Sequence, residues 1–158
     1  MRGNSIEGGM MPKIDLIELH MAAAHFPIAL LMANVFFDVT GFLFKKSDFR
    51  TTSFWIHMLG LLGGAVTILL GLSGNPFRAD IGIIGNPFAS YEPVMAQRAV
   101  QHQWVGFMSF FLFGILALWR VKRGRQFANR EQYAYWLLSF AAVAVIGLTG
   151  YLGNHVMD

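Results

Sequence analysis

Two histidines stand five positions apart where a long apolar run begins, in the stretch ELHMAAAHFPIALL at residues 18–31. A neutral imidazole nitrogen is a common ligand for haem iron, zinc and copper. Two more histidines fall near the outer ends of later apolar runs. Polar groups at such positions are costly in a membrane and tend to mark function. The candidate cofactor-binding residues are therefore His20, His25, His102 and His155.

Four apolar segments are long enough to position these side chains in a membrane. The chain has 158 residues, 55% of them hydrophobic, with a mean hydropathy of +0.49. A helix needs ~20 apolar residues to cross a hydrocarbon core of ~30 Å. The pattern predicts one all-α transmembrane domain over residues 1–158, folded as an up-down four-helix bundle. We expect helices at about 15–44, 54–74, 99–120 and 133–154, with an outer loop at 75–98.

Basic residues are concentrated in the two shorter connections. Residues 45–50 hold three of them and residues 120–130 hold five, out of twelve Lys and Arg in the chain. By the positive-inside rule, both connections are cytoplasmic and both termini lie on the periplasmic side of a bacterial plasma membrane. The basic run RVKRGR at 120–125 therefore indicates topology, and no nucleic-acid partner is expected.

The chain contains no cysteine. This excludes disulfides, thiolate metal sites, covalently attached c-type haem and cysteine-held iron–sulfur clusters. The sequence also lacks an HExxH motif, a phosphate-binding loop and a nucleophile–base constellation. We therefore expect little catalytic activity from the chain by itself.

Counting positions from the inner boundary sorts the four histidines into two levels. The count takes Lys45 as the inner boundary of the first helix and Arg120 as that of the third. At ~1.5 Å per residue, His25 and His102 are both roughly 27–30 Å up, whereas His20 and His155 are roughly 38 Å up. The predicted ligands of a haem iron are His25 and His102. The other two histidines would hold a second haem, bind haem propionates or face water.

Asp38 and His57 lie nearer the inner boundary, each ~10 Å above it by the same count. We expect them to meet across the first two helices. They would form either a buried pair that locks helix register or a proton- or quinone-linked site. A single histidine at this level argues against a haem held by two histidines there.

Glycine patterns predict close helix packing. Gly60 and Gly64 form a GxxxG motif in the second helix, which lets a neighbouring helix approach. The segments GLSGN at 71–75 and GYLGN at 150–154 form a weak repeat. This repeat suggests two duplicated two-helix units.

Three segments together resemble a known bacterial family. They are H-x4-HFPIALL at 20–31, followed by Asp38; residues 102–106; and LTGYLGNHV at 148–156. The pattern is similar to four-helix membrane proteins of unknown function that look like b-type cytochromes and are sometimes fused to Rieske-type iron–sulfur domains. The resemblance covers about residues 18–157 and implies a redox setting. It places the family's histidines on the four candidates above and its intramembrane acid on Asp38.

The expected function is that of a membrane b-type haem-binding electron-transfer subunit of a larger respiratory or oxidoreductase complex. One haem b near the periplasmic face is expected, or two if His20 and His155 also bind iron, and a quinone site is left open. The expected partners are other membrane subunits, a periplasmic c-type cytochrome or iron–sulfur subunit, and the lipid bilayer. The alternatives are a zinc- or copper-binding membrane protein and a cofactor-free scaffold subunit.

Overall fold

The computed structural model describes residues 16–74, 93–123 and 129–155. These residues form four α-helices, namely α1 (Leu16–Leu43), α2 (Ser47–Gly74), α3 (Pro93–Arg123) and α4 (Asn129–Asn154). Each of the four is long and apolar enough to cross a membrane. The predicted fold class is confirmed: the protein is an all-α, multi-pass membrane protein.

Three helices begin earlier than predicted, among them α4, which begins at Asn129 instead of about 133. Helix α2 begins at Ser47 instead of about 54, and α3 begins at Pro93, inside the segment predicted as a loop. The remainder of that predicted loop, 75–92, lies outside the described residues. Hydropathy detects only the part of a helix that lies in hydrocarbon. The extra turns of α2 are mostly polar. Both helices start with residues that suit helix N-termini, namely Ser47 and Asp48 in α2 and proline at the first position of α3.

A tight turn joins α1 to α2. The amide of Lys46 donates to the carbonyl of Gly41 at 2.9 Å, and the amide of Lys45 donates to the carbonyl of Phe42 at 3.2 Å. Lys45 has φ of 53°, so the pair of bonds forms a Schellman cap with a lysine where glycine is usual. The turn reverses the chain, and α1 packs against α2 along its length.

The helices alternate in direction, as an up-down bundle requires. The start of α1 lies beside the end of α2, where His20 contacts Thr67, and the start of α3 lies beside the end of α4, where His102 contacts Thr149. Helix α3 packs mainly against α4, and the contacts between the two hairpins are fewer. The fold is therefore two helical hairpins packed side by side.

Close packing between α1 and α2 occurs at the predicted GxxxG motif. Gly60 is buried, and a Cβ atom built there would lie 2.8 Å from the side chain of Leu31. A Cβ atom on Gly64 would lie 3.4 Å from Phe110 on α3. The backbone of α2 can therefore approach both neighbours, as predicted.

Candidate functional site

The imidazoles of His20 on α1 and His102 on α3 are neighbours near the outer end of the bundle. Their ring centroids are 6.2 Å apart and their planes are inclined at 84°. Two imidazoles bound on opposite sides of one metal ion, with metal–nitrogen distances of ~2.0–2.1 Å, hold their centroids roughly 6 Å apart, whereas a tetrahedral ion brings them to roughly 5 Å. The observed centroid distance of 6.2 Å is closer to the first of these two values.

Each of these rings is oriented by a backbone carbonyl from the other helix of the same hairpin. Nδ1 of His20 donates to the carbonyl of Thr67 at 2.8 Å, and Nδ1 of His102 donates to the carbonyl of Thr149 at 3.0 Å. A carbonyl only accepts, so Nδ1 carries the proton and Nε2 keeps its lone pair. Histidines that bind metals commonly have this arrangement, in which the outer hydrogen bond fixes the tautomer and the ring orientation.

Each ring also lies against a glycine. A Cβ atom at Gly71 would lie 2.7 Å from Cε1 of His20, and a Cβ atom at Gly153 would lie 2.9 Å from Cε1 of His102. Real Cβ atoms essentially never approach other atoms this closely, so a larger residue at either position would displace the imidazole. The glycines at these two positions are therefore part of the site.

The contacts of one hairpin recur in the other at the same spacing. His20, Thr67 and Gly71 correspond in this way to His102, Thr149 and Gly153. Corresponding histidines contact each other, which is the signature of an approximate twofold axis between the hairpins. The two hairpins therefore share this set of contacts, but in a register that differs by three positions from the match between GLSGN and GYLGN on which the sequence repeat was based.

The repeat is imperfect beside the two threonines. The hydroxyl of Thr149 donates to the carbonyl of Val145 at 3.0 Å and is 2.9 Å from the hydroxyl of Ser109. The position in α1 that corresponds to Ser109 is Pro27, which has no hydroxyl. The buried hydroxyl of Thr67 accordingly has no hydrogen-bond partner among the described residues.

His25 lies elsewhere than predicted. Its side chain is exposed, and its Nδ1 donates to the carbonyl of Met21 one turn earlier, at 2.8 Å. The structure therefore places His20, and not His25, beside His102. The depth count misled because it took Arg120 as the inner boundary, whereas Arg120 is buried beside Asp38. Asp38 follows His20 on α1 by as many residues as Arg120 follows His102 on α3. The two charged residues therefore lie at equivalent positions of the two helices.

His155 is found at the end of α4, in contact with its own helix. Its Nδ1 donates to the carbonyl of Tyr151 at 2.9 Å, and the two rings stack with centroids 4.3 Å apart. The carbonyl of His155 accepts a hydrogen bond from Arg98 on α3 at 3.0 Å. The structure thus brings His20 to His102 rather than to His155, and the ligand role of His155 stays a prediction.

A buried ion pair lies at the inner end of the bundle. Asp38, 4% exposed, and Arg120, 7% exposed, are 2.9 Å apart. Arg120 also donates to the hydroxyl of Ser53 and to the carbonyl of Arg50, both at 2.8 Å. The indole of Trp136 donates to Asp38 at 3.2 Å. All four helices therefore contribute to one hydrogen-bonded cluster, which joins the two hairpins.

His57 does not form the predicted pair with Asp38. It is fully buried, and its Nε2 donates to the carbonyl of Phe113 at 3.0 Å. Its Nδ1 has no hydrogen-bond partner among the described residues. The acid that was expected to meet His57 is instead bound by Arg120 and Trp136. The buried ionic contact of Asp38 therefore joins α1 to α3 rather than α1 to α2.

Sequence reasoning missed Arg120, because a basic residue near the end of a helix was counted only as a topology signal. The equal spacing from His20 to Asp38 and from His102 to Arg120 is the signal that could have found it. The glycines that support the imidazoles could not be distinguished from the other glycines of the helices without knowing what lies opposite them.

A mostly apolar layer, which also holds the buried His57, separates the inner cluster from the outer histidine pair. Leu31, Phe113 and Ala142 are buried in it. Leu31 precedes Asp38 by two helical turns, and Phe113 precedes Arg120 by the same interval. Two turns of helix correspond to ~10 Å. The two polar groups of residues are therefore distinct sites, with the outer one suited to hold a ligand and the inner one suited to hold helices together.

The donor set favours some ions over others. Among the described residues, no group of three or more His, Cys, Asp or Glu side chains is placed to hold a metal ion. Structural zinc takes four protein ligands and catalytic zinc takes three, whereas a haem brings four nitrogens of its own and needs only axial ligands. Two imidazoles are therefore fewer ligands than a protein zinc site uses, and they are the number that a haem with two protein ligands would need.

Comparison with known proteins places the chain in a family. A family model described as "Predicted membrane protein (DUF2231)" matches residues 17–157. No curated protein matches the chain significantly, and no solved structure does. The matched range includes all five histidines and the buried ion pair. The chain therefore belongs to the DUF2231 family of predicted membrane proteins.

Proposed function

We propose that the protein binds haem b between α1 and α3 near the outer end of the bundle and passes electrons as a subunit of a larger redox complex. His20 and His102 are the proposed axial ligands. The observation that supports them is the centroid distance of 6.2 Å between two rings whose Nδ1 atoms are both held by carbonyls. The chain contributes ligand orientation and a low-polarity surrounding, and haem supplies the one-electron couple.

Arg98 is the proposed partner of the haem carboxylates. It lies on α3 four residues before His102, so both side chains are on the same face of the helix. Among the described residues at the outer end it is the only lysine or arginine. Carboxylates near hydrocarbon require water or a cation, because an unpaired buried charge is costly. The carboxylate of Glu18, which is exposed in the first turn of α1, would repel the haem carboxylates.

We assign a structural role to the inner cluster. Asp38 and His57 are 4% and 0% exposed, so a quinone in the bilayer does not reach them in this structure. A buried ion pair that joins α1 to α3 is suited to fix the register of the two hairpins. Electron transfer is therefore proposed for the outer half of the molecule alone.

The test is a reduced-minus-oxidised absorbance spectrum of the purified protein, with haem quantified as pyridine haemochrome. We expect the α-band of a b-type haem, close to one haem per chain, and a low-spin ferric signal typical of two imidazole ligands. Protein purified from haem-replete cells that yields no extractable haem would overturn the proposal. Stoichiometric zinc or copper in the same sample would then indicate a metal-binding protein, and the absence of both would indicate a scaffold.

The glycines beneath the rings provide a sharper prediction. Gly71→Ala and Gly153→Ala are each expected to lower haem content several-fold, because the new Cβ would lie within 3 Å of the ligand ring. Gly147→Ala on α4 is the matched control, since no atom lies within 4 Å of a Cβ built there. Haem per chain and the reduction potential are measured for all three variants. Equal haem content in the three would show that the rings do not occupy these positions when the cofactor is bound.

A further inference from the structure

A pocket lies beside the turn that joins α1 to α2, at the opposite end of the bundle from the proposed haem. Its volume is about 480 Å³. It is lined by Gly41, Phe42, Leu43, Lys45, Ser47 and Arg50. Pockets that bind small molecules commonly have volumes of ~300–1,000 Å³. Two of the lining side chains are cations and a third carries a hydroxyl, so the chemistry of this pocket suits an anion.

The guanidinium of Arg50 lacks an anionic partner. Arg50, Arg98 and Arg120 are the arginines that are at least partly buried in the described part of the chain. Arg98 donates to the carbonyl of His155, and Arg120 pairs with Asp38. The guanidinium of Arg50 makes no hydrogen bond or ion pair with any described residue. A partly desolvated cation without a partner is costly, and a bound anion would remove that cost.

Close packing holds the stem of the Arg50 side chain in place. A Cβ atom built on the buried Gly41 would lie 2.8 Å from Cγ of Arg50 and 3.0 Å from its backbone nitrogen. The absence of a side chain at Gly41 therefore lets this stem lie directly against α1. The position of the cation is set by helix packing as well as by its own rotamers, which favours a defined binding site.

Lys45 occupies a backbone conformation in which glycine is usual. Its φ of 53° makes it the one non-glycine residue with positive φ in the described segments. Glycine adopts this conformation without strain, and it is the common residue at this position of a helix cap. Non-glycine residues in such conformations are found preferentially at functional sites. The strain therefore indicates that the ammonium group of Lys45 has a use that glycine could not supply.

The turn as a whole has an excess of positive charge. Residues 45–50 contain three basic residues and one acidic residue, Asp48, so three positive charges less one negative charge leave +2. The hydroxyl of Ser47 is 3.4 Å from Oδ1 of Asp48, which is a long contact, and both residues are exposed. The carboxylate of Asp48 therefore does not neutralise the pocket.

The location of the pocket narrows the class of anion. Only residues 44–46 separate two helices that can each span a membrane, Glu18–Leu43 and Ser47–Ser73. A turn this short lies at one surface of the bilayer, whatever the exact depth of the two helices. Beside the cations, Leu43 and Phe44 are 64% and 68% exposed. A phospholipid presents a phosphate to the cations and acyl chains to the apolar side chains, whereas free phosphate uses the cations alone.

We propose that this pocket binds the phosphate group of an anionic phospholipid. Oxygen atoms of the phosphate accept hydrogen bonds from the guanidinium of Arg50 and the ammonium of Lys45, and the acyl chains lie along Leu43 and Phe44. The carbonyl of Arg50 accepts a hydrogen bond from Arg120 at 2.8 Å. The bound lipid therefore also holds the start of α2 beside the ion pair that joins the two hairpins.

The test measures equilibrium binding by native mass spectrometry on the purified protein in dodecylmaltoside micelles. The probes are dioleoylphosphatidylglycerol, dioleoylphosphatidylcholine and inorganic phosphate. The variants are Arg50→Gln and Lys45→Gly. The matched control is Lys46→Gln, which removes one positive charge from the same turn but does not line the pocket. Resistance of each protein to unfolding by SDS is measured without lipid and with phosphatidylglycerol.

We expect the wild-type protein to bind phosphatidylglycerol several-fold more tightly than phosphatidylcholine, and to bind inorganic phosphate far more weakly than either. Arg50→Gln should weaken binding of phosphatidylglycerol about tenfold, as the loss of one charge-assisted hydrogen bond predicts. Lys46→Gln should change it by no more than about twofold, because an exposed charge outside the pocket contributes little. Phosphatidylglycerol should raise the SDS concentration needed to unfold the wild-type protein, and this increase should be lost in Arg50→Gln.

Lys45→Gly separates ligand binding from stability. It should weaken binding of phosphatidylglycerol several-fold, because the ammonium group is gone. Without lipid it should raise the SDS concentration needed for unfolding, because glycine adopts the left-handed conformation without strain. A purely structural role for this residue does not predict these opposite changes.

Three outcomes would overturn the proposal. Equal weakening in Arg50→Gln, Lys45→Gly and Lys46→Gln would show a general attraction between the turn and anionic lipid, without a site. Equal affinity for phosphatidylglycerol and phosphatidylcholine would remove the selectivity for an anion. Inorganic phosphate that binds as tightly as phosphatidylglycerol and displaces it would identify a site for a soluble phosphate. The measurement does not depend on bound haem, so its result is independent of the proposed function.

Discussion

Replacing either His20 or His102 by alanine is expected to abolish the haem spectrum of the purified protein. The two rings are the only histidine pair that the described residues bring into contact, and each supplies one side of the proposed axial ligation. With one imidazole missing, a haem would keep a single axial ligand and lose most of its affinity. Haem per chain, measured on protein of equal yield and monodispersity, tests the prediction.

The other outer histidines serve as controls for this prediction. His155→Ala should keep the haem, because His155 contacts only Tyr151 and Arg98 among the described residues. His25→Ala should keep it too, since that ring is exposed on the lipid side of α1. If His25→Ala lost the haem and His20→Ala retained it, the depth-based pairing of His25 with His102 would be correct and the structural pairing would be wrong.

Replacing Arg120 by leucine is expected to destabilise the protein by about 3–5 kcal/mol, because it leaves the carboxylate of Asp38 buried without its cation. The double change Asp38→Leu with Arg120→Leu should recover much of the loss, since no unpaired charge then remains. Unfolding in mixed micelles with increasing SDS measures the three free energies of unfolding. This measurement does not require bound haem, so the prediction is independent of the cofactor.

A second ion pair in the same protein provides the matched control. Arg123 and Glu131 are 2.6 Å apart, but their side chains are 53% and 28% exposed. An exposed pair contributes ~1 kcal/mol or less, so Arg123→Leu should have a small effect. If Arg120→Leu were no more destabilising than Arg123→Leu, the ion pair between Asp38 and Arg120 would not exist in the membrane.

Hydropathy predicted the number and order of the helices among the described residues. It succeeded because a membrane leaves so few ways to satisfy the backbone that a run of ~20 apolar residues has essentially one structure. It did not predict that α2 begins at Ser47 and α3 at Pro93, because helical turns outside the hydrocarbon carry no hydropathic signal.

Residue types predicted the site better than residue depths did. Four histidines at one face identified the outer end, and Asp38 identified the inner one. The depth count paired His102 with His25, whereas the structure places His20 beside His102, because the count assumes that every basic residue near a helix end lies at the boundary. Arg120 is instead drawn into the bundle by Asp38, which shifts the count on α3 relative to α1. Which charges face each other depends on how α1 and α3 pack together, and the sequence of one helix alone does not contain this information.

The repeat of the hairpin has a consequence for how its two copies recognise each other. At the outer end of the axis, equivalent positions hold the same residue, histidine, and the two rings are in contact. At the inner end, equivalent positions hold opposite charges, Asp38 and Arg120. Two identical hairpins could not make that contact, because they would oppose two carboxylates or two guanidinium groups. The α1–α2 hairpin is therefore complementary to the α3–α4 hairpin and not to a second copy of itself. Because both hairpins belong to one chain, each has its complementary partner in the same molecule.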